Sequence, residues 1–212
     1  MQGRRLTWRI GGIGLIACGV VGILRNSLLG APAASIALSL LADLLWAGAI
    51  LLLAFGLHSE GSVVARKPLG LAAATVVAVW PLVASTISLL ATPADAEAAA
   101  TDAWLVWVTL SIVLPVMAGL IAAVQVGRAG VVLSPWNWAA LWVLAGQVVF
   151  WVLPQLIGVA APTVLMQVPG VLNAFGTLGF LAGTLGLGVL AVVLAGRSGA
   201  GTVTVFQSST PK

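Results

Sequence analysis

Hydrophobic residues fill six long stretches of the chain, and charged residues lie at the ends of these stretches or between them. A helix needs about 20 predominantly apolar residues to cross the hydrocarbon core of a bilayer. The pattern therefore predicts an all-α membrane protein, a polytopic bundle of six transmembrane helices. The predicted spans are residues 10–29, 35–57, 69–91, 104–127, 138–158 and 171–195.

Composition agrees with this pattern. Hydrophobic residues make up 61% of the 212 residues and charged residues 7%, whereas charged residues make up about 25% of a typical soluble protein. Six spans and their connections use almost the whole chain, so no room remains for a soluble catalytic domain. We expect one transmembrane domain over residues 1–197, followed by a flexible, polar cytoplasmic tail at 198–212.

Charge predicts how the helices are oriented. If the N-terminus is cytoplasmic, Arg25 is the one basic residue on the outer side, and the acidic residues Asp95, Glu97 and Asp102 lie outside as well. Because cytoplasmic loops carry an excess of Lys and Arg, we expect both termini to be inside. The excess of Arg over Lys amid many Ala, Gly, Val and Leu residues suggests a genome rich in G and C. We expect the protein to lie in the inner, cytoplasmic membrane of a bacterium.

The N-terminus also resembles a secretory signal peptide. Arg4 and Arg5 precede an apolar run, and the small residues Ala31 and Ala33 are typical of a cleavage site. We interpret this segment as an uncleaved first helix. The alternative, cleavage, would leave five helices and remove Arg25.

Small residues predict where the helices pack. Lipid is as apolar as leucine, so membrane helices associate through close approach at Gly, Ala, Ser and Thr. Gly14 and Gly22 belong to a stripe along the first span, and Gly179 and Gly183 form a G-x-x-x-G motif in the last. We interpret these glycines as contacts within the bundle. The alternative is a docking surface for a partner or a second copy.

A polar stripe follows one face of the second span. Ser39, Asp43 and Trp46 are spaced by four and three residues, so their side chains project together. Asp43 is the only acid within a span, where an ionised carboxylate costs about 2.5–3.5 kcal/mol and needs a partner. Arg25 is the expected partner, with room for its guanidinium beside Gly22. The pair is either a binding or coupling site or a structural ion pair.

Other polar side chains favour the outer half of the membrane. Trp80 and Gln147 lie near the midplane. Their position predicts an outward-facing polar cavity that binds a ligand. The predicted lining residues are Arg25, Ser39, Asp43, Trp46, Trp80 and Gln147. The alternative is that the hydroxyls bond to carbonyls of their own helices. The remaining polar residues of this half are Ser85, Thr86, Ser88, Thr109, Ser111, Gln155, Asn173 and Thr177.

Several functional classes are excluded. The single His58 cannot supply two axial haem ligands, and with the single Cys18 it cannot complete a zinc site. No lysine lies in a span to form a retinal Schiff base. We expect no catalysis, metal, cofactor or nucleic acid.

The remaining hypothesis is a small binding or transport component with an outward-facing polar cavity. The alternative is a non-catalytic accessory or scaffold subunit of a larger membrane complex. Expected partners are membrane lipids, a further membrane protein or second copy, and a small molecule.

Overall fold

The computed structural model describes residues 2–27, 32–57, 62–65, 67–91, 102–132, 136–160 and 169–197. Within these ranges the regular structure is all helical, and six helical segments are long and apolar enough to cross a membrane. The α-helices are α1 (Gln2–Ser27), α2 (Pro32–Phe55), α3 (Pro68–Ala91), α4 (Asp102–Ala129), α5 (Ala139–Ala160), α6 (Pro169–Leu181) and α7 (Leu187–Arg197).

Two short irregular helices complete the fold. A 3-10 turn at Trp136–Trp138 precedes α5, and a π-helical turn at Ala182–Gly186 joins α6 to α7. The sixth span is therefore α6, the π-helical turn and α7 in succession. The prediction of six apolar helices is confirmed, and the predicted tail at 198–212 lies outside the described residues.

The six spans form a ring. Each span packs against the next one in the chain, and the sixth returns to pack against α1. The contacts of α1 with α2 and with α7 are the most extensive, whereas α5 packs less extensively against α4 and against the sixth span. This order of contacts leaves a space at the centre of the ring.

Proline and glycine mark the helix ends. Three helices begin at a proline, Pro32, Pro68 and Pro169, because the first helical position needs no backbone N–H and favours the φ that proline imposes. Gly56 and Gly130 follow the last residues of α2 and α4 with φ of 69° and 65°. A residue with the left-handed backbone conformation at this point ends a helix, and glycine adopts this conformation without steric cost.

The first helix begins well before the predicted span. Thr7 and Trp8 are buried; the Thr7 hydroxyl accepts a hydrogen bond from the Leu57 backbone N–H at 3.1 Å, and Trp8 packs against Leu194 and Ala195. These contacts hold the first turns of α1 against the ends of α2 and α7. Sequence hydropathy does not detect them because this segment also carries three arginines.

The glycines of α1 face two different helices. A Cβ on Gly14 would lie 3.1 Å from the Ala49 Cβ of α2, whereas a Cβ on Gly22 would collide with the Phe180 ring of α6. Phe180 therefore occupies the space beside Gly22 that the sequence analysis assigned to the guanidinium of Arg25.

The glycines of the G-x-x-x-G motif face α5. A Cβ on Gly179 would lie 3.4 Å from the Phe150 Cβ, and one on Gly183 would collide with the Gln147 amide nitrogen. Both glycines thus allow α5 to approach the sixth span closely within the chain.

Candidate functional site

Trp46 connects α2 to α3 at the point where a proline interrupts the backbone hydrogen bonds of α3. Its ring Nε1–H donates a hydrogen bond to the backbone carbonyl of Val77 at 3.1 Å. That carbonyl would normally accept the N–H of residue 81, which is a proline within α3. Because Pro81 has no N–H, the indole supplies the donor that the helix lacks.

The same arrangement recurs one helix later. Trp80 donates its Nε1–H to the Ser111 carbonyl at 3.2 Å, and the residue four positions on is Pro115, inside α4. This pairing of a tryptophan with a proline on the next helix has a regular spacing in the sequence. Trp46 and Pro81 are 35 positions apart (81 − 46), and so are Trp80 and Pro115 (115 − 80). A proline within a span is visible in the sequence, whereas the partner of the carbonyl that it leaves without a helical donor depends on how the helices pack.

Gln147 makes a related contact between α5 and the sixth span. Its Nε2 donates to the Gly179 carbonyl at 3.4 Å, three residues before the π-helical turn at Ala182–Gly186. A π-helical turn shifts the backbone hydrogen-bond register. Gln147 therefore contacts the sixth span close to the π-helical turn of that span.

The Asp43 carboxylate has a partner on α3. Ser85 Oγ donates a hydrogen bond to Asp43 Oδ2 at 2.5 Å, and the Asp43 side chain is half-buried. The Arg25 side chain is exposed near the end of α1, and Ser39 donates to the carbonyl of Ser35 on its own helix at 3.0 Å. The described hydrogen bond of Asp43 thus comes from a hydroxyl on α3, where the sequence analysis expected the guanidinium of α1.

Several hydroxyls of the predicted polar cavity bond within their own helices. Thr86, Thr109 and Ser111 each donate to a carbonyl three or four residues earlier. The side chains of Gln155 and Asn173 lie outside the described residues. The predicted outward-facing polar cavity therefore rests on fewer side chains than the sequence suggests.

An apolar cavity of about 220 Å³ lies inside the ring. All six spans line it, and Gln147 is the one amide among its described lining residues. It lies in the half of the ring where α1 begins and α7 ends. Its lining includes Leu15, Ile50, Ala123 and Leu194.

The cavity brings together only part of the predicted site. Trp46 and Gln147 line it, whereas Arg25, Ser39, Asp43 and Trp80 are absent from its described lining. Asp43 lies about one helical turn from Trp46, toward the opposite end of the ring. The polar pair of Asp43 with Ser85 and the apolar cavity are therefore adjacent, with the Trp46 indole between α2 and α3 at the boundary.

No protein-family model, curated protein or solved structure matches the chain. Within the described ranges, no group of three His, Cys, Asp or Glu side chains is placed to hold a metal ion.

Proposed function

We propose that the chain is a multi-pass protein of a bacterial inner membrane, with both termini in the cytoplasm. Six long apolar helices support membrane insertion. The orientation is supported by the arginines: Arg4, Arg5 and Arg9 lie in the first turns of α1, and Arg128 and Arg197 in the last turns of α4 and α7. All five lie at one end of the ring, which the positive-inside rule assigns to the cytoplasm.

We infer that the protein is a small, non-enzymatic binding or transport component whose ligand is an apolar molecule held inside the ring. The supporting observation is the cavity of about 220 Å³ to which every span contributes. Ligand sites are mostly apolar with a few polar groups that fix orientation, and Gln147 is such a group here. An apolar cavity of about 150 Å³ in another helical protein stays dry and binds benzene.

Asp43 is the proposed coupling residue of a transport cycle. It lies about one turn from Trp46, which lines the cavity, and its carboxylate is hydrogen-bonded to Ser85 on the neighbouring helix. A change in that hydrogen bond would be transmitted to the contact between α2 and α3 at the cavity wall.

A photoreactive aryl probe tests the binding function. The full chain is reconstituted in lipid vesicles, exposed to trifluoromethyl phenyl diazirine, irradiated, and analysed by mass spectrometry. The probe partitions into the bilayer and labels exposed residues such as Leu105. Leu15 and Leu194 line the cavity and are only 1% and 5% exposed, so adducts on these two residues report occupancy of the cavity.

A matched pair of variants on α4 controls the result. Ala123→Leu fills the cavity and is expected to reduce adducts at Leu15 and Leu194 severalfold. Ala103→Leu, on the exposed surface of the same helix, should leave them unchanged. Absence of adducts at both leucines in the unmodified protein would contradict the binding function.

An accessory or scaffold subunit is the alternative function. The glycines predicted to serve such docking, Gly179 and Gly183, already contact Phe150 and Gln147 of α5. A partner of this kind would have to use another face of the ring, so this alternative has less support than ligand binding.

A further inference from the structure

The outer surface of the ring carries an apolar groove between α5 and the sixth span. Trp142, which is 75% exposed, and Gly186 lie along it. The other residues of the groove also line the central cavity, and they are Trp136, Ala139, Val143, Leu187 and Leu190. Because these five residues line both spaces, the groove lies directly beside the cavity.

The boundary between the groove and the cavity is loosely packed at two points. The π-helical turn of the sixth span ends at Gly186, where a Cβ would meet no atom within 4 Å. On the other side, α5 packs against α7 far less extensively than α1 does. Beside the cavity, α5 and α7 therefore make little contact with each other.

The size and chemistry of the cavity limit its ligand. A cavity of about 150 Å³ holds benzene, with six carbons, so by proportion about 220 Å³ holds roughly nine carbon atoms. This corresponds to the end of a lipid chain and excludes a whole lipid. No charged side chain is among the described lining residues, so these residues offer no charged partner to a lipid headgroup.

We propose that the cavity binds the terminal segment of an acyl chain of a membrane lipid, and that the chain reaches it from the bilayer through the groove between α5 and α7. This inference rests on the proposed binding function and specifies its ligand. In a bilayer, acyl chains surround the groove. Rotation of the Val143 and Leu187 side chains, which line both spaces, widens the passage between groove and cavity, and the rest of the lipid remains outside the ring.

Reconstitution with a photoreactive lipid tests this inference. The full chain is placed in phosphatidylcholine vesicles that contain phosphatidylcholine with a diazirine at the end of one acyl chain. After irradiation, adducts are mapped by mass spectrometry. We expect adducts on Leu15 and Leu194 inside the ring, in addition to those on exposed residues such as Leu105 and Val113, which report contact with bulk lipid.

Two glycine variants of the sixth span test the path. Gly186→Leu places a side chain in the groove and should remove most of the lipid adducts at Leu15 and Leu194. Gly176→Leu is the matched control, because a Cβ there also meets nothing within 4 Å and Gly176 lies outside the groove. Both variants should therefore fold and elute as the parent does in size-exclusion chromatography.

The outcomes separate this inference from the proposed function. Equal lipid adducts at Leu15 and Leu194 in the Gly186→Leu and Gly176→Leu variants would overturn the lateral path. If the aryl diazirine labels these leucines and the diazirine lipid does not, the acyl chain is not the ligand, although the cavity still binds apolar molecules. If neither probe labels them, both proposals are wrong.

Discussion

At the scale of single residues, polar groups within the spans stabilise the backbone and one another. Trp46 donates to the Val77 carbonyl that Pro81 leaves without a helical donor, and Ser85 donates to Asp43. In a bilayer no water is present to satisfy such groups, so each needs an internal partner. This requirement explains why polar and aromatic donors lie inside otherwise apolar helices.

A double-mutant cycle measures the link between Trp46 and Pro81. Trp46→Phe keeps an aromatic ring and removes the donor, and should lower the free energy of unfolding by about 1 kcal/mol. Pro81→Ala restores a backbone N–H to the Val77 carbonyl, so Trp46→Phe should cost clearly less in that background. Thermal unfolding in detergent gives the comparison.

Pro115 provides the control for this cycle, because the Ser111 carbonyl that it leaves without a helical donor receives its hydrogen bond from Trp80 and not from Trp46. Trp46→Phe should cost the same in a Pro115→Ala background as in the parent. An equal cost of Trp46→Phe in the Pro81→Ala background and in the parent would show that the indole does not replace the missing donor.

Part of this residue-scale chemistry was predictable from the sequence. A carboxylate within a span needs a partner, so the need of Asp43 was predictable, and Ser85 was predicted to lie in the same half of the membrane. Arg25 was the expected partner because opposite charges attract strongly, but Phe180 fills the space beside Gly22. Which helix face meets which neighbour depends on packing between distant segments, and periodicity within one span does not contain that information.

At the scale of helices, the backbones of α1 and α7 approach each other closely. A Cβ on Gly12 would lie 2.7 Å from the carbonyl oxygen of Gly188, and one on Gly188 would lie 2.8 Å from the carbonyl oxygen of Gly12. Backbone atoms cannot move aside as a flexible side chain can. The sequence predicted glycine contacts for both spans, but Gly188 lies five residues beyond Gly183, the nearer of the two glycines predicted to form contacts on the last span.

Replacement of Gly12 tests this contact. Gly12→Ala should destabilise the protein by about 1–3 kcal/mol, because the added methyl group pushes α1 away from α7. Gly48→Ala is the matched control, since Gly48 lies within α2 and a Cβ there meets nothing within 4 Å. It should be neutral or stabilising by up to about 1 kcal/mol from helix propensity. Similar unfolding temperatures for the two variants would contradict the close contact.

At the scale of the whole molecule, the number of helices was predictable, whereas the ring and its cavity were not. Twenty-residue apolar stretches define the spans directly. The cavity arises where small residues such as Ala74 and Ala123 face the centre of the ring, and small apolar residues give no polar signal in a sequence. The polar residues predicted a site in the opposite half of the ring. A cavity between helices depends on how all six spans pack, and the sequence of a single span does not show this.

Cysteine labelling at the two ends of α3 determines which side of the membrane the cavity faces. Leu69 and Leu90 lie near opposite ends of this helix and are 56% and 83% exposed. In a Cys18→Ala background, a membrane-impermeant maleimide should label the Leu90→Cys variant in intact cells. It should label the Leu69→Cys variant only after permeabilisation, because the positive-inside rule places the arginine-rich end of the ring in the cytoplasm.

The cysteine-free parent provides the background signal for this experiment. The opposite labelling pattern would show that both termini are outside, contrary to the positive-inside prediction. The ring, its cavity and the groove between α5 and α7 would be unchanged, since they depend only on contacts within the protein. The apolar cavity would then lie in the outer leaflet, and the acyl chain that it is proposed to bind would come from that leaflet. Orientation thus decides which leaflet supplies the ligand, and the packing of the six spans decides whether a ligand can bind at all.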